Sequence, residues 1–252
     1  MNSIASFEEL SLNAWPAPRT LCYDGWVLRF AGGYTRRANA IYPIYPSMLP
    51  LEEKIAVCER VYGGQGLPVV FKMTDVASPP ALDGVLAGQG YRVEAHTSVQ
   101  VLDLSRFAGG AMPEGFHFAT DLTQAWFDTF CRLSGTPDRH HAAMRQILGL
   151  IVPARCFALL RVGEKPLACG LAVLQHGFVG IFDIVVAAEQ RGKGYGRRIM
   201  DGLLAWGKAH GAQASYLQVM DNNPVALRLY AALGYRKRYP YWYRVRDQVP
   251  AA

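Results

Sequence analysis

An apolar strand that runs straight into a basic, glycine-rich turn, residues 181–196 (IFDIVVAAEQRGKGYG), is the feature that most constrains what this chain can fold into. Gly192, Gly194 and Gly196 alternate along the turn, so its backbone is free to take positive φ and to leave N–H groups uncovered. The pattern predicts a helix from Arg197 to about His210. Its N-terminal end would aim unpaired N–H donors and the positive pole of its dipole at the same spot. Arg191, Lys193, Arg197 and Arg198 add positive charge, and guanidinium groups grip phosphate oxygens in pairs. A pyrophosphate suits such a turn.

The spacing is not that of the two commonest phosphate loops. A dinucleotide fold needs G-x-G-x-x-G and a P-loop needs G-x-x-x-x-G-K-[ST], whereas this turn reads Arg191-x-x-Gly194-x-Gly196. Downstream, 215–220 reads as a strand and 225–233 as a helix. Asn222 or Asn223 supplies its cap, Pro224 its first turn, and Gly234 the left-handed residue after its end. The glycine turn, followed by Asn223-x-x-Ala226-x-x-x-Tyr230-x-x-x-Gly234-Tyr235, resembles the acyl-CoA loop and the next motif of the GCN5-related N-acetyltransferase (GNAT) superfamily. The resemblance covers about 116–245 and, more weakly, the first half.

The first half carries an echo of the second. Pro80 to Gly90-Tyr91-Arg92 mirrors Pro224 to Gly234-Tyr235-Arg236, and both 224 − 80 and 234 − 90 are 144. The same shift lays the helical stretch 53–62 on the helix after the glycine turn, and 70–74 on the strand near 214–218. Two copies of one fold are implied. They differ at the chemical positions, since Ser47-Met48-Leu49-Pro50 stands where the second half has Arg191-Gly192-Lys193-Gly194, and Leu86 stands where it has Tyr230. The first copy is therefore not expected to bind CoA in the same way. A linker of small residues and turn formers at 107–115 puts the boundary near 108/109. The expected domains are 1–108, a degenerate copy, and 109–252, the catalytic copy.

In the second half the pattern gives strand 115–119, helices 123–133 and 138–150, then strands 155–162, 167–176 and 178–186. A short antiparallel meander followed by a β-α-β crossover makes an α/β fold with a mixed, mostly antiparallel sheet flanked by helices.

Composition bounds the reading without selecting it. The chain has 252 residues, 51% of them hydrophobic, with no apolar run long enough for a membrane span. Glu8 and Glu9 stand where a secretory leader would be basic and then apolar. The five cysteines are scattered and never in C-x-x-C spacing, which suggests reduced thiols in a cytoplasmic protein. The net charge of +6 and the run 236–246 (RKRYPYWYRVR) raise nucleic-acid binding, because the run interleaves stacking and phosphate-binding side chains. The other reading of that run is a closing strand or hairpin with aromatics on one face and a solvated basic face on the other. Nucleic acid and membrane are not expected as partners; a second copy of the chain is one candidate. No His, Cys or carboxylate cluster has metal-ligand spacing, so no metal is expected.

The resemblance implies an acyltransferase that uses acetyl-CoA as cosubstrate and an amine as acceptor. By that resemblance the cofactor would lie along Ile184, Val185 and Val186, its pyrophosphate on Arg191, Gly192, Lys193, Gly194, Tyr195, Gly196 and Arg197, with Asn223, Ala226 and Tyr230 beside it. Asp183, a carboxylate in an otherwise apolar strand, is the candidate general base, with Glu189 second. Tyr230 matches the tyrosine that protonates the leaving thiolate in many relatives. The acceptor is expected over Gly170, the strand 167–172 and the helices of 123–150. Tyr34-Thr35-Arg36-Arg37-Ala38-Asn39, read as strand-like, would line its cleft or form an exposed edge. A noncatalytic acyl-CoA sensor or assembly module is the alternative function.

Overall fold

The computed structural model describes residues 3–107, 109 and 111–247. They fall into two units, Met1–Ser98 with Tyr239–Ala252, and Val99–Arg238. The expected linker at 107–115 lies partly outside the described residues.

In the first unit, helix α1 (Ile4–Ala14) precedes a hairpin of β1 (Arg19–Tyr23) and β2 (Trp26–Phe30). Asp24 and Gly25 turn that hairpin with φ of 41° and 80°, the positive angles that a two-residue turn between twisted strands requires. Next come β3 (Ile41–Tyr42), α2 (Leu51–Gly63), β4 (Val69–Thr74), α3 (Leu82–Gly88) and the start of β5 (Arg92–Asp103). β3 runs parallel to β4 through Ile41 and Phe71. Trp26, Leu28, Phe71, Tyr62 and Leu86 meet in the core beneath α2 and α3.

The second unit holds β6 (Phe116–Ala119), α4 (Gln124–Ser134), α5 (His141–Gly149), β7 (Ala154–Val162), β8 (Lys165–Gln175), β9 (Phe178–Val186), α6 (Tyr195–Ala209), β10 (Ala214–Met220) and α7 (Pro224–Leu233). β6 to β9 form an antiparallel meander, and β10 adds parallel to β9 after the α6 crossover. Ile199, Met200, Leu203 and Leu204 of α6 bury against Val179, Ile181 and Leu217 of the sheet. Both units are thus α/β, each with a mixed sheet and packed helices, as the patterning anticipates.

The closing strands do not follow the expected division at 108/109. The last strand, β11 (Arg236–Arg246), pairs antiparallel with β4 of the first unit, from Tyr241 opposite Thr74 to Arg246 opposite Val69. Conversely β5 neighbours β10, and Leu102, Leu104 and Phe107 belong to the core of the second unit. Long-range strand pairing, which no local pattern records, sets these bounds. A fragment 109–252 therefore lacks part of the second unit's core and is expected to melt without cooperativity, whereas the full chain melts in a sharp transition by circular dichroism. A cooperative melt of that fragment at the temperature of the full chain would contradict the exchange.

The 144-residue echo carries into the elements. α2 and α6 begin at Leu51 and Tyr195, and β5 and β11 at Arg92 and Arg236. Gly90 and Gly234 both follow a helix with positive φ, 82° and 95°.

Two sequence expectations resolve here. β11 is the closing strand, with Tyr239, Tyr241, Tyr243 and Val245 buried on one face; the Tyr239 hydroxyl donates to Glu8, whose carboxylate pairs with the buried Lys72. Those rings cannot stack on bases. The 34–39 segment is a turn around a short helical stretch, Arg36–Ala38, and not a strand. Asn39 is buried there because its Oδ1 accepts from the N–H groups of Ala31 and Gly33, Arg36 pairs with Glu94, and Arg37 stacks 4.3 Å over Trp15.

Among the described residues no helix is long and apolar enough to cross a membrane, and the five cysteines are free thiols, Cys22 exposed and the rest buried.

Candidate active site

β9 and β10 begin as partners and then part. Their parallel register runs from Phe178 opposite Ala214 to Ile181 opposite Leu217, while β9 continues to Val186 and β10 to Met220. Burial records the parting: residues 179–182 are buried, and Asp183, Ile184, Val185 and Val186 are only half-buried. An apolar strand end past which the parallel register with its neighbour no longer runs is a place where an extended ligand can add as a strand would.

A bulge sits where the strands part. On the other side of β9, Cys169 faces Val185 but Leu171 faces Phe182, so Asp183 and Ile184 together oppose Gly170. Asp183 takes φ of 53°, the left-handed region that aspartate tolerates better than most residues. Within the bulge Ile184 packs onto Gly170: a Cβ there would stand 2.5 Å from Ile184 Cδ1 and 2.8 Å from Leu203 Cδ1. On the other side of the sheet, Trp126 of α4 is fully buried and donates its Nε1–H to the carbonyls of Ala158 and Gly170, 3.1 Å each. The Gly170→Ala variant is expected to lose about 1–3 kcal/mol by overpacking, measured by denaturant unfolding, because Ile184 must shift off the bulge. An unchanged midpoint would mean the bulge does not depend on that contact.

Asp183 lies near Cys169, whose thiol is pushed up mainly by burial and then by the Asp183 charge; Arg132 of α4 opposes the shift. The carboxylate therefore stands on the α4 side of the sheet, while Ile184 and Val186 pack into the core under α6. Glu189 is exposed and within 3.5 Å of Lys165 Nζ, which suits a turn-holding role better than a base.

The glycine turn has the conformation its spacing predicts. Gly192 and Gly194 have φ of 77° and 83° with open space where a Cβ would point, so both are needed for backbone shape rather than packing. Gly194 caps α6 without a side-chain acceptor. The helix's hydrogen-bond ladder starts with Arg198 N–H to Gly194 O at 3.1 Å. The N–H groups of Tyr195, Gly196 and Arg197 thus precede the ladder, which leaves them for an anion. A Cβ on Gly196 would lie 3.4 Å from Leu229 Cδ2 and 3.8 Å from Val186 Cγ2. The first turn of α6, the face of α7 and the open end of β9 therefore converge.

The basic side chains around this turn are not equally available. Arg191 and Lys193 are exposed, Lys193 reaching Gln190 Oε1 at 3.2 Å. Arg197 is drawn to Asp201, one turn along α6, at 2.9 Å. Arg198 donates to Glu114 O at 2.7 Å and lies over the Tyr195 ring.

α7 starts and ends as its sequence dictates. Asn223 Oδ1 accepts from Ala226 N–H at 3.1 Å, so both expected ligand contacts serve the helix cap. At the other end Gly234 turns the chain with φ of 95°, and Tyr235 anchors it, its hydroxyl 2.5 Å from Ser215 Oγ, which donates to Val179 O at 2.9 Å. That clamp joins α7 to β10 and β9 at their paired end. Tyr230 stands one helical turn before it, half-buried, with its ring 5.9 Å from Tyr235 in an edge contact. Burial pushes the Tyr230 phenol up to about 12. It remains a proton donor at neutral pH.

The sequence reading missed Trp126 and the bulge. The only local signal was a glycine, Gly170, inside a strand-like run, where glycine often marks close approach or a bulge. Among the described residues no cluster of His, Cys, Asp or Glu could hold a metal ion.

Comparison with known proteins bears on the family and the fold. A family model described as "Probable histone acetyltransferase Rv0428c C-terminal" matches residues 2–244. A Bacillus subtilis protein described as an uncharacterized N-acetyltransferase, YobR, is 30% identical over 250 residues, 98% of this chain and 100% of that protein. A GCN5-related N-acetyltransferase from Kribbella flavida superposes with a TM-score of 0.69 at 15% identity, covering 100% of this chain and 97% of the other. A tandem GNAT protein from the clavulanic acid biosynthesis pathway gives 0.61 at 14% identity, over 80% of this chain and 70% of its own. The two structures speak for the fold alone.

Proposed function

Because the chain belongs to the acetyltransferase family of the Rv0428c C-terminal region and is an acyltransferase of GNAT type, we propose that it moves an acetyl group from acetyl-CoA to a primary amine of a small molecule or peptide by direct attack in a ternary complex. The observation that carries this is the meeting of three features in the second unit: the parted end of β9, the uncapped start of α6 and the half-buried Tyr230. The donor set fits a CoA. Tyr195, Gly196 and Arg197 offer N–H groups ahead of the helix ladder, and Gly192 and Gly194 keep the approach free of side chains. Arg191 and Lys193 hold the pyrophosphate by charge, and Arg197 joins them by exchanging Asp201 for phosphate. The β9 edge at Ile184, Val185 and Val186 aligns the pantetheine arm. Acetyl-CoA supplies an activated thioester carbonyl, and backbone N–H groups near Val185 would polarise it as its oxyanion develops.

Asp183 is the proposed base. An amine with a pKa near 10.4, about that of lysine, is mostly ammonium at pH 7 and cannot attack until its proton is removed. The Asp183 carboxylate, directly or through water, takes it on the α4 side of β9; the acceptor would lie beside Asp183 and not over Gly170, whose two faces are filled by Trp126 and by Ile184 with Leu203. Tyr230 is the proposed acid for the thiolate. The first unit is read as the degenerate copy of a tandem pair, which binds no CoA.

Free-thiol release from acetyl-CoA, measured against a panel of small primary amines and lysine-containing peptides, tests the reaction. Release that depends on an added amine supports it. Saturable acetyl-CoA binding with no release for any amine would leave a sensor and overturn the catalytic reading.

A further inference from the structure

The first unit carries an open strand. β1 pairs antiparallel with β2, from Arg19 opposite Phe30 to Tyr23 opposite Trp26, and stands at one end of the strand order, so among the described residues no strand lines its other edge. Arg19, Thr20, Leu21 and Cys22 are exposed, Leu21 by 45%. Edges are commonly blunted by a bulge, a proline or an inward charge. β1 has an unbroken register and no proline, and its one charged residue, Arg19, stands at its first position. The turn after it decides which backbone groups are free. Asp24 and Gly25 both take positive φ, and such a two-residue turn closes on a hydrogen-bonded pair, here Tyr23 with Trp26. Bonded and non-bonded pairs alternate, so Leu21 and Arg19 also bond inward to β2, and the N–H and C=O groups of Thr20 and Cys22 point outward.

That pattern is complementary to itself. When a second β1 runs antiparallel with Thr20 opposite Cys22 of the other copy, every outward group of both strands is paired, in two bonded pairs with two bonds each. Leu21 then faces Leu21 of the other copy across a two-fold axis, in a non-bonded pair where side chains stand closest. Setting Thr20 or Cys22 opposite itself keeps only one bonded pair within the strand. Charge favours the same register. Arg19 donates to Gln65 Oε1 at 2.9 Å and remains exposed. At the other end of β1, burial and then the Glu53 carboxylate push the Tyr23 phenol up, more than Arg60 lowers it, and Glu53 is exposed on the first turn of α2. Antiparallel pairing sets Arg19 of each copy opposite Tyr23 of the other, beside Glu53. Positive charge meets negative at both ends of the pair.

We propose that β1 is a homodimer interface: two first units join edge to edge through the backbones of Thr20 and Cys22, about a two-fold axis at Leu21. The contact is small, so the expected Kd is about 1–100 μM.

Sedimentation velocity of the full chain tests it. The parent chain should pass from monomer to dimer as its concentration rises through that range, and Leu21→Lys, which sets two ammonium groups against each other on the axis, should stay monomeric. A parent chain that is monomeric up to about 1 mM would overturn the proposal and leave the edge to a peptide of another protein. Leu21→Lys that dimerises as the parent does would overturn it too. Thiol trapping reads the register without that variant. In a Cys22→Ser background the remaining native cysteines are buried, and Leu21→Cys puts two thiols on the axis with Cα atoms about 4.5 Å apart, within reach of a disulfide. Mild oxidation should then give a covalent dimer. Thr20→Cys in the same background places its thiols on a diagonal of about 7–8 Å and should cross-link at least about tenfold less, because that separation exceeds disulfide reach. No cross-link at Leu21→Cys, or equal cross-linking of the two variants, would overturn the register.

Discussion

Replacing Tyr230 by Phe lowers kcat by roughly 10² or more while leaving the Kd for acetyl-CoA within about twofold, the split expected when a general acid is lost without its packing. The ring keeps its edge contact with Tyr235 and its place against the α6 core; only the proton donor goes. A leaving thiolate with a pKa near 8.5 gains from a nearby phenol, and this phenol is raised to about 12 by burial. The sign of the pH dependence follows. A raised pKa keeps the acid protonated through neutral and mildly alkaline pH, so the parent enzyme should show no fall in kcat from this group below about pH 11. Meanwhile the acceptor amine gains free base as pH rises, so the rate climbs. A Tyr230→Phe enzyme with the parent kcat would remove the phenol from the mechanism.

Gly194→Asp should raise the Kd for acetyl-CoA by at least about 10²-fold, or ~2.7 kcal/mol. Part is backbone strain, since Gly194 sits at φ of 83°, where a Cβ costs about 1–2 kcal/mol. The rest is a negative charge set among the N–H groups meant for the pyrophosphate. The Cβ itself meets nothing within 4 Å, so the thermal midpoint should move by only a few degrees. If affinity survives in a folded variant, the pyrophosphate is held elsewhere.

What the sequence made legible was local. The glycine turn, the Asn223 cap, the Gly234 stop and the apolar run of β9 each follow from conformational preferences within a few residues, and together they mark out most of the second unit's candidate site. The 144-residue echo was legible because helices and their stops repeat in order. Non-local facts stayed hidden. Nothing near Arg236 announces that β11 pairs with β4, and nothing near Val99 announces that β5 neighbours β10. The bulge at Asp183 looked like an uninterrupted strand because a left-handed aspartate leaves no mark on apolar periodicity. The turn at 34–39 was masked because it lies between apolar strand residues, Leu28 and Phe30 before it and Ile41 and Tyr42 after it, that are themselves buried. Arg197 and Asp201 are four apart on a helix, so their pairing was readable from spacing alone, although the positive charge drew attention to phosphate instead.

Calorimetric titration of acetyl-CoA into the full chain tests the central claim most directly, with Gly194→Asp and Tyr230→Phe titrated alongside. The predicted result is saturable binding near one per chain, lost in Gly194→Asp and kept in Tyr230→Phe. No binding to the parent chain, or equal binding to Gly194→Asp, would contradict the assignment of the loop at 191–197 to CoA.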